Sequence, residues 1–209
     1  MKPCFTSPAV PSVQRGITLV VVMLILLVVT VLGVGGAQIA LQGERTARYD
    51  RDYLVASQAA EAALMDAEFD IRGPNTSANN RTADFALGND GIFVVGCSSS
   101  TTRRGLCEPY TDVEKPVWAR VDFLETGTSA RTVEFGEFTG RIFDSGGGIR
   151  PVRLPRYIIE RVEDRAPGNP AGKGAIPNMY RVTAMGFGPR LDVQVVTQMV
   201  FRKEGEITP

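Results

Sequence analysis

Residues 16–32 read Gly16-Ile17-Thr18-Leu19-Val20-Val21-Val22-Met23-Leu24-Ile25-Leu26-Leu27-Val28-Val29-Thr30-Val31-Leu32, and no charged residue occurs from Gly16 through Gly43. About 20 apolar residues suffice for a helix to span a bilayer. In lipid the backbone must satisfy its own hydrogen bonds, so such a run is helical there. The spanning helix is expected over 17–42. Before it lies a short leader, 1–16, which carries Lys2 and Arg15 and no acidic residue. Pro3, Pro8 and Pro11 leave no room in it for a useful helix. The two positive charges place this end in the cytoplasm, so the C-terminal part is translocated.

An ordinary secretory signal is cut after its apolar run at small residues, and Gly35-Gly36-Ala37 offers such a place. The text beyond shifts the balance. Gly33, Gly35 and Gly36 each weaken a helix by about 1 kcal/mol relative to alanine. Helical periodicity nevertheless continues past them. Tyr49, Tyr53, Ala56, Ala60, Ala63 and Ala67 recur at steps of three or four, and Leu64 and Ile71 widen that face. Arg45, Arg48, Asp52, Gln58, Glu61, Asp66 and Glu68 fill much of the rest. Gly73-Pro74 then ends the helix, a left-handed cap followed by a residue that cannot continue it. One helix is therefore expected over about Ile17–Arg72. Its second part, 43–73, is amphipathic and alanine-rich, suited to lying close on a sheet. A protein cut after Ala37 would have no need of this continuity.

Several of these residues resemble a known family, the type IV pilus minor pilins and in particular the PilX type. The resemblance is carried by Arg15-Gly16-Ile17-Thr18-Leu19, by Asp50-Arg51-Asp52 and by Gln58-Ala59-Ala60-Glu61-Ala62-Ala63-Leu64. Near the end it extends to Pro155-Arg156-Tyr157-Ile158-Ile159-Glu160, Tyr180-Arg181-Val182-Thr183-Ala184 and Val195–Arg202. It implies cleavage by a prepilin peptidase between Gly16 and Ile17, with N-methylation of Ile17. It further implies a structural rather than enzymatic role in priming pilus assembly, with other minor and major pilins as partners and a large adhesin near the tip. Motility and adhesion follow from that role. The chain would sit in the inner membrane, single-pass with its N-terminus cytoplasmic, and then pass into the extracellular pilus. The sequence departs from the major pilins at the fifth mature position, where they carry glutamate and this chain has Val21. Without that carboxylate the subunit cannot offer a counter-charge to a neighbouring Ile17 amino group, which suits a minor or initiating subunit.

Composition narrows the alternatives. Of 209 residues, 23 are Lys or Arg and 23 are Asp or Glu, so no basic excess points to a nucleic-acid partner. There is no histidine, the commonest general base and metal ligand. No catalytic motif is present and no cofactor is expected. Glu134 with Glu137, and Glu160 with Glu163 and Asp164, read as solvated strand faces or turns rather than calcium or hydrolytic sites. Cys97 and Cys107 bracket a loop-forming stretch beyond a membrane segment, which suggests a disulfide. A metal site wants more soft ligands, and a redox pair usually has closer spacing. Arg103 and Arg104 fall at the tip of that loop and read as solvated.

The rest of the chain, 74–209, reads as one sheet domain. Asn75, Ser77, Asn79 and Asn80 mark a polar loop. Strand signals fall at Ile92–Val95, after Trp118, among Val121, Phe123, Val133, Phe135 and Phe138, at Arg156–Arg161 and at Tyr180–Ala184. The clearest comes last, with Leu191, Val193, Val195, Thr197, Met199 and Phe201 on one face. Pro167–Pro177 reads as an exposed loop, and 203–209 as a frayed tail. A helix followed by strands implies α+β, an antiparallel sheet packed on the long N-terminal helix, as in pilins. Two other functions share these features. One is a pseudopilin of a type II secretion system. The other is a bitopic envelope protein with a ligand-binding or enzymatic periplasmic domain, which predicts an uncut Gly16–Ile17 junction.

Overall fold

The computed structural model describes residues 17–86, 89–109, 115–163 and 178–203. A single helix, α1, occupies Ile17–Arg72 and runs uninterrupted through Gly33–Gly36. The chain divides into two units, Met1–Arg48 and Tyr49–Pro209, and α1 contributes to both. In the first unit the apolar side chains from Ile17 to Leu41 are exposed among the described residues. The large ones are all between 47% and 71% exposed. Side chains added at Gly33, Gly35, Gly36 or Gly43 would meet open space, so nothing among the described residues requires glycine there.

The second unit begins with the remainder of α1, which ends as the residues demand. Gly73 takes φ +72° and its N–H donates to the Phe69 carbonyl at 2.7 Å, a left-handed cap that an L side chain resists. The described strands are β1 (Val94–Val95), β2 (Leu106–Glu108), β3 (Val133–Glu134), β4 (Arg156–Glu163), β5 (Asn178–Phe187) and β6 (Gln194–Arg202). They form one sheet in the order β1-β2-β4-β5-β6, with β3 also paired to β4. β4, β5 and β6 are a regular antiparallel meander, from Arg156 opposite Met185 through to Phe187 opposite Gln194.

The sheet is mixed rather than wholly antiparallel. β1 pairs with β2, and β2 with β4, in parallel. The 47 residues between Glu108 and Arg156 supply the crossover that a parallel neighbour needs. The Ile159 N–H donates to the Gly105 carbonyl at 2.8 Å and locks β2 against β4.

The sheet has a covered surface on each side. On one side Ala63, Ala67 and Ile71 of α1 pack with Phe85, Phe138, Tyr157, Ile159, Tyr180 and Val182. Ala56 and Ala60 meet Val193 and Val195. The helix comes so near β5 that a Cβ at Gly186 would lie 2.0 Å from the Ala56 carbonyl oxygen and 2.4 Å from the Ala60 nitrogen. On the other side Ile158 and Cys107, which alternate with the inward residues of β4 and β2, join Cys97, Val117, Val121 and Phe123.

Several expectations change. Asp90–Ile92 is a 3-10 turn, and only Val94–Val95 of that apolar run is strand. Trp118 lies in the turn Val117–Ala119 and packs, half-buried, at the margin of the second cluster. Val121, Phe123, Phe135 and Phe138 are in turns, and only Val133–Glu134 in that region is strand. Alternation there reports which side chains reach the core, and irregular backbone delivers them equally well. β6 starts at Gln194 because Arg190–Asp192 forms a turn closed by the Gly188 N–H on the Val193 carbonyl at 2.8 Å. The expected loop Pro167–Pro177 and the tail beyond Lys203 lie outside the described residues.

Candidate assembly site

The first candidate is the exposed half of α1. It is long and apolar enough to cross a membrane. Its one internal hydroxyl of note, on Thr30, donates to the Leu27 carbonyl at 2.8 Å and so presents no unpaired donor to lipid. Ile17 opens the helix and Val21 follows one turn later, half exposed. Gly16 lies outside the described residues, so the junction itself is not seen.

The second feature is polar and was missed. α1 buries three carboxylates, Asp52, Asp66 and Asp70. The sequence pattern puts Asp52 and Asp66 on the polar side and Tyr49 and Tyr53 on the buried one, yet the two tyrosines are 59% and 47% exposed. The spacing held the answer. Positions 52, 56, 59, 63, 66 and 70 recur at steps of four and three, so the aspartates share the alanine stripe. Reading the stripe by residue type hid them.

Each aspartate has a partner. Asp66 accepts from the Gly136 N–H at 2.8 Å and from the Thr139 hydroxyl. Burial pushes its carboxyl above the ordinary value, against the lowering effect of those two donors. Asp70 accepts from Nε and Nη2 of Arg81, and from the Tyr157 hydroxyl at 3.0 Å. Burial, and then the adjoining Asp70, hold the Tyr157 phenol well above its usual range. The Arg81 guanidinium also lies 3.6 Å from the Phe138 ring centre, a cation–π stack. Arg51 reaches Asp52 at 3.2 Å.

Arg81 links this network to the cysteine loop. Its Nη1 donates to the Arg104 carbonyl at 2.7 Å. Cys97 and Cys107 are joined by a disulfide, as the sequence suggested. Arg104 is largely buried and pairs with Glu137 at 2.8 Å, while Arg103 alone of the two stays exposed. The carboxylates expected to be solvated are also engaged. Glu160 is fully buried and held by two bonds from Arg181, and Glu134 pairs with Arg156 at 3.1 Å. Hydrogen bonding to Glu160 raises the Arg181 pKa. Among the described residues no group of three or more potential metal-ligating side chains converges.

An uncovered apolar helix that leads into an alanine-faced helix on a meander sheet defines a pilin-like, α+β subunit with a candidate membrane anchor. Residues 73–203 match the family described as type IV pilus assembly protein PilX, C-terminal part, and residues 15–64 match the PilX N-terminal family. The chain belongs to the PilX family of type IV pilus assembly proteins. No curated protein and no solved structure matches it.

Proposed function

We propose that this chain is a minor pilin that helps initiate the type IV pilus near its tip and thereby serves twitching motility and adhesion. In this reading 1–16 is a leader that a prepilin peptidase removes between Gly16 and Ile17, and the new Ile17 amino group is methylated. Residues 17–42 are the assembly helix, held in the inner membrane before the fibre takes it. Residues 43–73 continue that helix, and 74–209 form the domain that meets other minor and major pilins.

The observation that carries the reading is the uncharged, uncovered helix that starts at Ile17 in a chain of the PilX family. Apolar surface of that extent needs either lipid or the helices of other subunits. Val21 supports a minor role, since the subunit lacks a carboxylate one turn from its mature amino end. Mass measurement and N-terminal sequencing of the chain from sheared fibres test the proposal. A mature chain starting at methylated Ile17 is expected. An uncut chain, or one starting at Gln38, overturns it. Deletion should abolish twitching and leave type II secretion intact.

A further inference from the structure

We infer that the outer edge of β6 is a strand-pairing site for an extended segment of a different subunit of the pilus, an inference that rests on the minor-pilin reading above. The sheet order leaves β6 at one end, and among the described residues only β5 pairs with it. An edge strand presents a row of unpaired backbone donors and acceptors. Proteins usually blunt such an edge with short length, proline, a bulge or charge. β6 carries little of this protection. It has nine residues and no proline, and its single charged residue, Arg202, comes last. Its pairing with β5 runs without a bulge from Arg202 to Gln194. On the face away from α1, Val196 and Val200 are 38% and 64% exposed, with Gln198 between them.

Strand direction selects the occupant. Val193 and Val195 pack on Ala56 and Ala60, while Met199 and Phe201 pack on the cluster that holds Ala63, Ala67 and Ile71. The second half of α1 therefore runs the same way as β6. Two copies paired antiparallel through β6 would be related by a two-fold axis normal to the sheet, and their helices would point in opposite directions. That arrangement suits no pair of chains whose helices leave one membrane on the same side, and a parallel pair, related by a two-fold along the strands, would set its two helices on opposite faces of the joined sheet and so apart from a single bundle. The other described edges of a second copy, Val94–Val95 and Val133–Glu134, are two residues long and cannot match nine. A non-identical subunit remains, one whose extended backbone completes the ladder and whose apolar side chains cover Val196 and Val200.

The test uses the full chain in its own cells, with a photoreactive benzoylphenylalanine in place of Val200 and, as a control, in place of Val95. Val200 should crosslink to another pilus subunit, at a segment that mass spectrometry maps as extended, and Val95 should not. Adding Val196→Lys should abolish that adduct while the Cys97–Cys107 bond still forms, since position 196 is solvent-facing. Adducts only between copies of this chain, only with lipid, equally from both positions, or none at all overturn the strand-pairing inference. Such a result with the chain still present in sheared fibres leaves the minor-pilin reading standing. Absence of the chain from fibres, with normal twitching on deletion, overturns that reading itself.

Discussion

Asp70 on α1 and Arg81 in the loop beyond it form a core ion pair in which Nε donates to Oδ1 at 3.0 Å and Nη2 to Oδ2 at 2.5 Å, with both side chains at most 2% exposed. Coulomb attraction in such a place is offset by the desolvation of both ions, so the pair itself adds little net stability. Breaking it is another matter. Asp70→Ala leaves the Arg81 cation buried and should cost about 3–5 kcal/mol. Replacing both, Asp70→Leu with Arg81→Met, should cost much less than the sum of the single changes, because no charge is stranded and the side chain at 81 still covers Phe138. Chemical denaturation in detergent of wild type, Asp70→Leu, Arg81→Met and the double variant gives the coupling.

Asp66 carries a pH signature. Burial raises its folded-state pKa above 3.8, so between 3.8 and that raised value the folded chain holds a proton that the unfolded chain releases. Stability from this group therefore falls as pH rises through the window, and the penalty is complete above it. Asp66→Asn should remove the slope. The amide keeps both contacts, its oxygen accepting from Gly136 and its nitrogen donating to the Thr139 oxygen. Denaturation midpoints of wild type and variant should thus diverge in the variant's favour as pH rises from 3.8 through the raised folded-state value, and keep a constant separation above it.

Glu160 and Arg181 are unequally exposed, 0% and 34% at the side chain. Removing the arginine strands a buried carboxylate, and removing the carboxylate leaves a guanidinium that reaches water. Arg181→Ala should therefore destabilise by about 2–3 kcal/mol and Glu160→Ala by about 1 kcal/mol less. Equal losses would show that solvent reaches Glu160 freely.

Gly186→Ala should be among the most damaging single-methyl additions, about 3 kcal/mol, since the new Cβ would strike helix backbone rather than a movable side chain. Gly147→Ala, with open space around it, should change the midpoint little. Thermal unfolding of both variants is a direct comparison.

Reducing the Cys97–Cys107 bond reopens a loop with nine residues between the cysteines. The chain-entropy account puts the loss at about 2–3 kcal/mol. Arg81 still grips the Arg104 carbonyl after reduction, so the loop should loosen without the sheet unfolding. Amide exchange should speed up over 98–104 and stay slow in β4 and β5.

Much of this architecture was written locally. The uncharged run from Gly16 to Gly43 specifies a membrane-length helix through composition alone. The alanine stripe and the Gly73-Pro74 stop specify its continuation and end, because helix periodicity and capping depend on near neighbours. Strand alternation marked β4, β5 and β6 for the same reason. The cysteine pairing was legible from spacing and compartment. Tertiary structure decided everything that depends on which distant groups meet. The parallel placement of β1 and β2 follows from a long crossover that no local pattern encodes. Asp66 and Asp70 lie inside because Thr139, Gly136, Arg81 and Tyr157 arrive from far along the chain to satisfy them. A charged residue reads as exposed until its partner is known, since burial of an ion becomes tolerable only when the counter-charge and hydrogen bonds are in place. The sequence by itself determined the helix, its two halves and the strands that pack on it. Only the fold decided which charges it buries and in what order the strands pair.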